Sequence, residues 1–600
     1  MNARKLAFVL AALAALAVST WEAAAIYRIY LAQHRVPLWD MAGHGWGGVE
    51  LLRALSGGHP LRFLDLLNRQ DKWPFGYSLL LMPFLAAGDW SFASATLLSA
   101  VLFALVPVLL LWVAREADEG PAGLWGGLIA AALFLTSPLL RVFGVLIMRE
   151  MAGAFFTLLA LALYLRARRL GTPWAWRLAG LATLALFLIK YNYALVWVAA
   201  VLLNEIWRMT PERRRELARW PLSHRIFAAY LGLLILAALF GVNPGVGVYA
   251  GLVIGAVLLV VRRRRDPEAF RARWRSLPVE VRAALATFVI PVWIWWLSPK
   301  PIHPKEAIAF LRNRSAGPPL LSGESLGYYF RSLINDYSAV PVLGVLVILG
   351  VLLSLLWLKP FRPLALTALL GLGLATFHPY KEPRFLAVAA PFLMLLAAMA
   401  FSRAVHWRRS LVGALIGGFL CAGAVAGIAW AASGAGLDAR LEKNYRVYSA
   451  RPGYWRALAF LSNHAAGADR VAVIGSFNEL SENLVRWRLA QARKTRNVEV
   501  VDGPSRRESV PAWLEEERPE RILAIRLLPS SRLYQGKDFQ SFNAWQLAAI
   551  DTLEKDAGWK VAKRRRFEAL DMEILVLRPV TSRPSPARSP VPPPPSPPGS

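Results

Sequence analysis

Cysteine is all but absent. The single Cys421 lies in an apolar run, so the chain has no intramolecular disulfide and no cysteine metal site. Acidic residues are few as well, 39 against 69 lysines and arginines, which gives a formal net charge of +30. Also missing is a G-x-G-x-x-G fingerprint: Gly475 follows a strand-like run without it, which argues against a nucleotide site there. No convincing internal repeat is present. What the chain has in abundance is apolar sequence, with 56% hydrophobic residues, 24 tryptophans among them, and a mean hydropathy of +0.40. A soluble core of this size needs far more polar covering, so the sequence reads as a multi-spanning membrane protein. Its arginines sit in short loops between apolar runs. That pattern encodes topology by positive-inside loops rather than nucleic-acid binding.

A crossing needs about 20 apolar residues. The first run, about 6–26, follows Arg4 and Lys5 and precedes a small-residue cluster at 23–25 that imitates a signal cleavage site. It is longer than a usual signal core, and many spans follow, so an uncleaved first helix with a cytoplasmic N-terminus is expected. Further runs lie at about 75–88, 91–114, 122–140, 150–166, 176–207, 226–240, 246–261, 283–298, 338–358, 362–377, 384–402 and 410–433. The run at 75–88, with Pro74, Gly76 and Pro83, is expected to be short or re-entrant. The run at 176–207 is expected to break at Lys190–Tyr193 into two helices that meet near the outer face, because an ammonium is costly at mid-bilayer. About thirteen crossings result. The loop at 208–225 holds six arginines against two glutamates and that at 262–282 eight arginines against three acids, so both are placed inside. The stretch from Arg35 to Trp73, with five basic and four acidic residues, is placed outside as polar, irregular backbone. The loops at 299–337 and around Tyr380 are placed there too.

From about Leu437 the pattern becomes that of a soluble domain. RVAVIGSF, NVEVVD, RILAIRLL and EILVLRP read as strands, with helical stretches such as SENLVRWRLAQAR between them, which suggests a small α/β domain. The organisation expected is a transmembrane module over 1–436, an extracytoplasmic α/β domain over 437–580 and a disordered Pro/Ser-rich tail over 581–600. The membrane is expected to be a bacterial-type inner (plasma) membrane.

Candidate chemistry gathers on the outer side: Asp40 beside Trp39 and ahead of His44 and Glu50, then Arg149 with Glu150, Lys190, and the loop FHPYKEPRF at 377–385. Ionisable residues at a membrane edge point to function. Lys381 and Arg384 stand three apart, with His378 and Tyr380 nearby, and suit charge-assisted, bidentate bonds to a phosphate. The bland readings are that Lys381 and Arg384 reach for lipid headgroups, that Asp40 caps a helix and that His44 is a solvated or satisfied histidine.

HPYKEPRF and the proline-containing span AVAAPFLMLLAA after it resemble the H-K-E-x-R-F signature of the lipid-phosphate-sugar-dependent mannosyltransferases. More broadly they are similar to the late-helix entry of the GT-C glycosyltransferases, a group that takes in protein O-mannosyltransferases and the bacterial transferases that decorate lipid A. Asp40 through Gly57, WPFGYSLLLMPF and GLATLALFLIKY fit the same order, and the resemblance spans roughly 5–430. It implies a polytopic helical enzyme, a hexosyl- or pentosyltransferase, that takes a sugar from a polyprenyl-phosphate donor. The acceptor is a lipid, glycan or protein on the extracytoplasmic face. It implies Asp40 as general base, Glu150 as a second acid, and Lys381 and Arg384 as ligands of the donor phosphate with Lys190 assisting. Arg149, His378, Tyr380, Trp39 and His44 are expected to line the substrates. Relatives often show two adjacent acids in the first loop and an Asp in the second, where this chain has Asp40 alone and Glu150; a divalent cation is therefore neither required nor excluded. The alternatives are a lipid-linked-sugar flippase, which calls for midplane charges and pseudo-symmetric halves, and a non-catalytic scaffold that presents the C-terminal domain.

Overall fold

The computed structural model describes residues 3–210 except 33–35, 38 and 70–73, then 278–292, then 321–408 except 379 and 380, and then 453–580 except 476–479, 492–497, 505–508 and 529–536, with residues 212, 267, 268 and 275 as isolated positions. Expected crossings at 226–240, 246–261 and 410–433, the tail from 581, and Tyr380 lie outside the described residues.

Two compact units divide the chain, one of Met1–His34 with His44–Ser449 and one of Arg35–Gly43 with Ala450–Ser600. The first is helical. Its described helices are α1 (Ala3–Ala32), α2 (Trp39–Ser56, shared with the second unit through its first turns), α3 (Pro60–Arg69), α4 (Gly76–Ala87), α5 (Phe92–Ala117), α6 (Pro121–Thr136), α7 (Pro138–Phe143), α8 (Arg149–Leu170), α9 (Pro173–Ile189), α10 (Tyr191–Arg208), α11 (Val279–Ala284, continued by a π turn over Leu285–Val289), α12 (Gly323–Asn335), α13 (Pro341–Ser354), α14 (Leu358–Phe377) and α15 (Ala390–Arg408). Among the described residues α1, α5 and α8 are long and apolar enough to cross a membrane, and α4, α6, α9, α13 and much of α14 and α15 are shorter apolar helices.

The elements end where sequence chemistry says they should. Ser91 caps α5, its hydroxyl accepting from the Ser94 amide at 3.1 Å, and Pro121, Pro138, Pro173 and Pro341 open α6, α7, α9 and α13, where their missing N–H is no loss. α5 lies at the centre: Phe103 is fully buried against Phe134 of α6, with ring centroids 4.9 Å apart. With Pro83 inside it, α4 has only 12 residues, about 18 Å of helix, well short of a bilayer core. The run at 176–207 does break at Lys190, whose φ −162° and ψ 112° are extended, between a helix of 17 residues and one of 18.

The stretch 35–73 departs from expectation. It was expected as irregular backbone, and the structure has two helices there, α2 and α3. Glycines at 43, 45, 47 and 48 mask the helical pattern, and the helix is buried on most of its sides rather than along one stripe, with no residue from 41 to 51 exposed. α3 buries no residue: Leu61 and Leu64 are exposed, and an Arg69–Asp65 pair at 2.8 Å closes its polar side.

The second unit holds α16 (Tyr454–Ala465), β1 (Arg470–Ile474), α17 (Glu482–Gln491), β2 (Glu499–Asp502), α18 (Val510–Glu517), β3 (Arg521–Leu527), α19 (Lys537–Lys555), β4 (Trp559–Phe567) and β5 (Met572–Pro579). The sheet order is β2-β1-β3-β5-β4, parallel through β2, β1 and β3 and antiparallel from β3 to β5 and β4. Its core packs Ile474, Ile522, Leu575 and Leu577 against Trp513, Ile550 and Leu553. The strand β4 was not expected: WKVAKRRRF carries no apolar alternation, and the strand is held by pairing with β5 along one side. Gly475 turns the chain after β1 at φ +84°, and a Cβ there would collide with the backbone of Ile525. Its role is therefore a tight turn, in keeping with the missing nucleotide fingerprint.

Candidate functional site

α8 begins with two buried charged residues, Arg149 at 5% and Glu150 at 3% exposure. A carboxylate in the first turn of a helix is favoured by the amide dipoles. Lys190, at the break between α9 and α10, brings its Nζ to 3.7 Å from Glu150 Oε1. Between them stands Tyr193. Lys190 Nζ donates to its hydroxyl at 3.1 Å, the hydroxyl donates to Glu150 Oε1 at 3.4 Å, and the ammonium also lies 4.8 Å from the Tyr193 ring centroid. Glu150 Oε2 has no hydrogen-bond partner among the described residues. The tyrosine reaches this place because Gly153 lets it: a Cβ on Gly153 would sit 2.5 Å from the Tyr193 ring and 2.9 Å from Val388.

Tyr193 also ties in the late loop, since its hydroxyl lies within electrostatic range of Arg384 as well as of Glu150 and Arg149. The loop itself is held from α12. That helix is capped by Ser322, which accepts from the Ser325 amide at 3.1 Å. Tyr329 donates to the Glu382 carbonyl at 3.2 Å, and Tyr337 donates to the Pro383 carbonyl at 2.7 Å. The backbone on the N-terminal side of Arg384 is thus pinned twice, and a 3-10 turn, Pro383–Leu386, carries it into α15. The Arg384 guanidinium pairs through Nε with Glu382 Oε2 at 2.7 Å and lies 5.4 Å from the Phe385 ring centroid. Lys381 donates to the Thr376 carbonyl in the last turn of α14 and lies 5.8 Å from the Tyr329 ring centroid. Burial lowers its pKa below the ordinary lysine value. His378 packs on Phe385 with ring centroids 4.7 Å apart.

The structure therefore brings Glu150 and Lys190 together at Tyr193, with Arg149 and Arg384 within electrostatic range of its hydroxyl and with Lys381 and His378 on the same loop as Arg384. His44 reaches the neighbourhood through Tyr77 of α4. The two rings meet edge-on at 5.8 Å, and the Tyr77 hydroxyl lies within electrostatic range of Arg149 and Glu150. Asp40 is exposed in the first turn of α2, in the 35–43 segment that groups with the second unit. Trp39 begins the same helix. Among the described residues no three His, Cys, Asp or Glu side chains gather as metal ligands do.

Sequence reasoning missed Tyr193, Tyr329, Tyr337 and Glu382 as members of this site. Tyr193 was within reach, three residues after Lys190 on a helix, a spacing that puts side chains on one face. Glu382 sat inside the quoted motif. The other two tyrosines bond backbone carbonyls about fifty residues away and leave no local signal.

Residues 322–433 match the model of the Alg9-like mannosyltransferase family, a stretch that contains Tyr329, Tyr337 and all of HPYKEPRF. Among solved structures, ArnT from Cupriavidus metallidurans bound to undecaprenyl phosphate is similar at 16% identity over 96% of this chain and 98% of that one, with a TM-score of 0.46. An oligosaccharyltransferase from Archaeoglobus fulgidus, in complex with zinc and sulfate, is similar at 12% identity over 85% and 67%, with a TM-score of 0.47. No curated protein matches the chain. The apolar helices and the family match together describe a multi-pass membrane protein that resembles the GT-C glycosyltransferases.

Proposed function

We propose that the chain moves a sugar from a polyprenyl-phosphate donor to a hydroxyl or amine of an extracytoplasmic acceptor. The observation that carries this reading is the late loop. The family match covers it, two tyrosine hydroxyls hold its backbone next to Arg384, and Arg384 lies within electrostatic range of Tyr193, which contacts Glu150 and Lys190. Four cationic side chains from three elements, Lys381 and Arg384 from the late loop, Arg149 from α8 and Lys190 from the break between α9 and α10, suit a phosphate that gains charge as it leaves.

In this reading the acceptor oxygen or nitrogen forms a bond to the anomeric carbon while the bond from that carbon to the phosphate oxygen breaks. The electron pair leaves with the polyprenyl phosphate, where Lys381 and Arg384 stabilise it and Lys190 assists. The acceptor proton passes to the Asp40 carboxylate as general base. Glu150 aims Lys190 through Oε1 and Tyr193, and its Oε2 meets the substrate. Glu382 takes the Nε edge of Arg384, which fixes the plane of the guanidinium fork before the phosphate arrives. A donor tail that stays in the bilayer suits a site at the membrane edge.

The test is sugar transfer by the purified protein from polyprenyl-phosphate sugars, beside thermal unfolding of the same samples. Asp40→Asn keeps the shape and the helix-start chemistry but removes the base, so transfer is expected to fall about a hundredfold or more with the unfolding temperature unchanged. Absence of transfer from every such donor rejects the function. Full activity in Asp40→Asn rejects the base assignment and moves it to Glu50 or Glu150.

A further inference from the structure

The second unit carries a basic cleft that glycosyl transfer, as proposed above, does not use. α16 and β4 border an open cleft of about 410 Å³, lined by Arg456, Phe460, Asn463, His464, Lys563 and Arg565 and reached also by Arg564. The register of β4 shifts between Val561 and Lys563. Past that irregularity Lys563 and Arg565 share one face of the strand, and Arg564 and Arg566 share the other. Arg564 is answered by Glu554 at 2.5 Å and Glu573 at 3.4 Å. Arg456, Lys563 and Arg565 have no carboxylate within ion-pair distance among the described residues.

The cleft is also ordered. The Arg565 guanidinium lies 5.5 Å from the ring centroid of Phe460 and 5.2 Å from that of Phe567, so aromatic faces fix its place. His464 stacks on Phe460 with centroids 4.2 Å apart, and its Nδ1 lies 2.8 Å from the Phe460 carbonyl. A carbonyl only accepts, so Nδ1 carries the proton and a neutral ring has Nε2 as an acceptor. Charge on an edge strand is by itself a guard against edge-to-edge pairing. That guard does not require a third cation from a separate helix, nor the convergence of all three on a concavity with neutral polar groups beside it.

We propose that this cleft binds a water-borne, phosphate-bearing ligand. Three unanswered cations and the Asn463 amide match the charge and acceptor oxygens of a phosphate ester, and the volume lies within the roughly 300–1,000 Å³ of small-molecule sites. Anionic headgroups offer the same phosphate. Membrane attachment, however, also draws on exposed apolar anchors, and the large apolar residues exposed on this unit, among those described, are Val561 and Val580. The proposal stands independently of the glycosyltransferase reading.

The experiment is calorimetric titration of the full-length protein in neutral detergent with inorganic pyrophosphate. One saturable site is expected. The double variant Arg456→Gln/Lys563→Gln should weaken it at least tenfold, and Lys560→Gln and Arg566→Gln, outside the cleft, by less than twofold. All four positions are on the surface, so unfolding temperatures should stay equal. Equal loss in all variants, or no saturable site, overturns the proposal. A second arm repeats the titration in nanodiscs of phosphatidylcholine and of phosphatidylglycerol. Unchanged affinity is expected in both, and loss of the site in phosphatidylglycerol alone assigns the cleft to headgroups and overturns the water-borne ligand.

Discussion

Two acid–cation pairs lie buried among the helices of the first unit, and their surroundings differ. Glu22 of α1 and Arg141 of α7 are in direct contact with side chains 4% and 3% exposed. They join two elements far apart in the chain. Glu150 and Lys190 stand 3.7 Å apart, with a tyrosine hydroxyl inserted between them, a glycine that admits the tyrosine, an unpartnered carboxylate oxygen and a second arginine in range. Each pair keeps a buried polar atom without a hydrogen-bond partner among the described residues, Glu22 Oε1 and Arg141 Nε in the first and Glu150 Oε2 in the second. What sets the second apart is the tyrosine between its partners and the further cations in range. Burial of charge is common to both, so burial alone does not identify a site. The looseness of the pairing and the number of elements that converge on it do.

The sharpest way to break this comparison is to remove one partner of the first pair. Arg141→Leu leaves the Glu22 carboxylate buried without its cation, a loss of about 3–5 kcal/mol. It should show as a large fall in the unfolding temperature of the purified protein. The double variant Glu22→Leu/Arg141→Leu should recover much of that. Specific activity per folded molecule should hold in both. A stable Arg141→Leu protein that has lost transfer would place Arg141 in the chemistry and dissolve the contrast.

At the second pair the expected effects are reversed. Glu150→Gln keeps volume and hydrogen bonding but removes the charge that faces Lys190, and transfer should drop by about a hundredfold, with the unfolding temperature little changed. If the variant instead unfolds early and keeps its turnover, Glu150 is a second structural pair. A smaller change is expected at the supports of the late loop. Tyr337→Phe deletes the 2.7 Å bond to the Pro383 carbonyl and nothing else, worth about 0.5–1.5 kcal/mol, so transfer should fall roughly threefold to tenfold, chiefly through a raised KM for the donor. An unchanged KM would separate the tyrosine from donor binding.

The same contrast separates what a reader of the sequence can find from what only the fold reveals. Lys190 inside a long apolar run, Glu150 at the head of another and the basic pair in HPYKEPRF are out of place in greasy sequence, and each was legible for that reason. Glu22 and Arg141 are charges in apolar runs as well but were not singled out, and their pairing leaves no trace in the sequence because the partners are far apart in the chain. Tyr329 and Tyr337 act on carbonyl oxygens, which carry no residue identity. In the second unit β1, β2, β3 and β5 follow apolar runs, but β4 is almost entirely cationic and owes its extended form to β5. α2 was hidden by its glycines, whose low helix propensity is overridden by the burial of Met41, Ala42, Val49, Leu51 and Ala54 around most of the helix.

The measurement that bears most directly on the account is competition by free polyprenyl phosphate, the expected product, against a labelled polyprenyl-phosphate sugar on the wild-type protein and on Arg384→Ala and Arg384→Lys. If Arg384 holds the donor phosphate, Arg384→Ala should bind the competitor at least tenfold more weakly, and Arg384→Lys should recover only part of that because the planar fork is gone. Equal binding by all three proteins would contradict it.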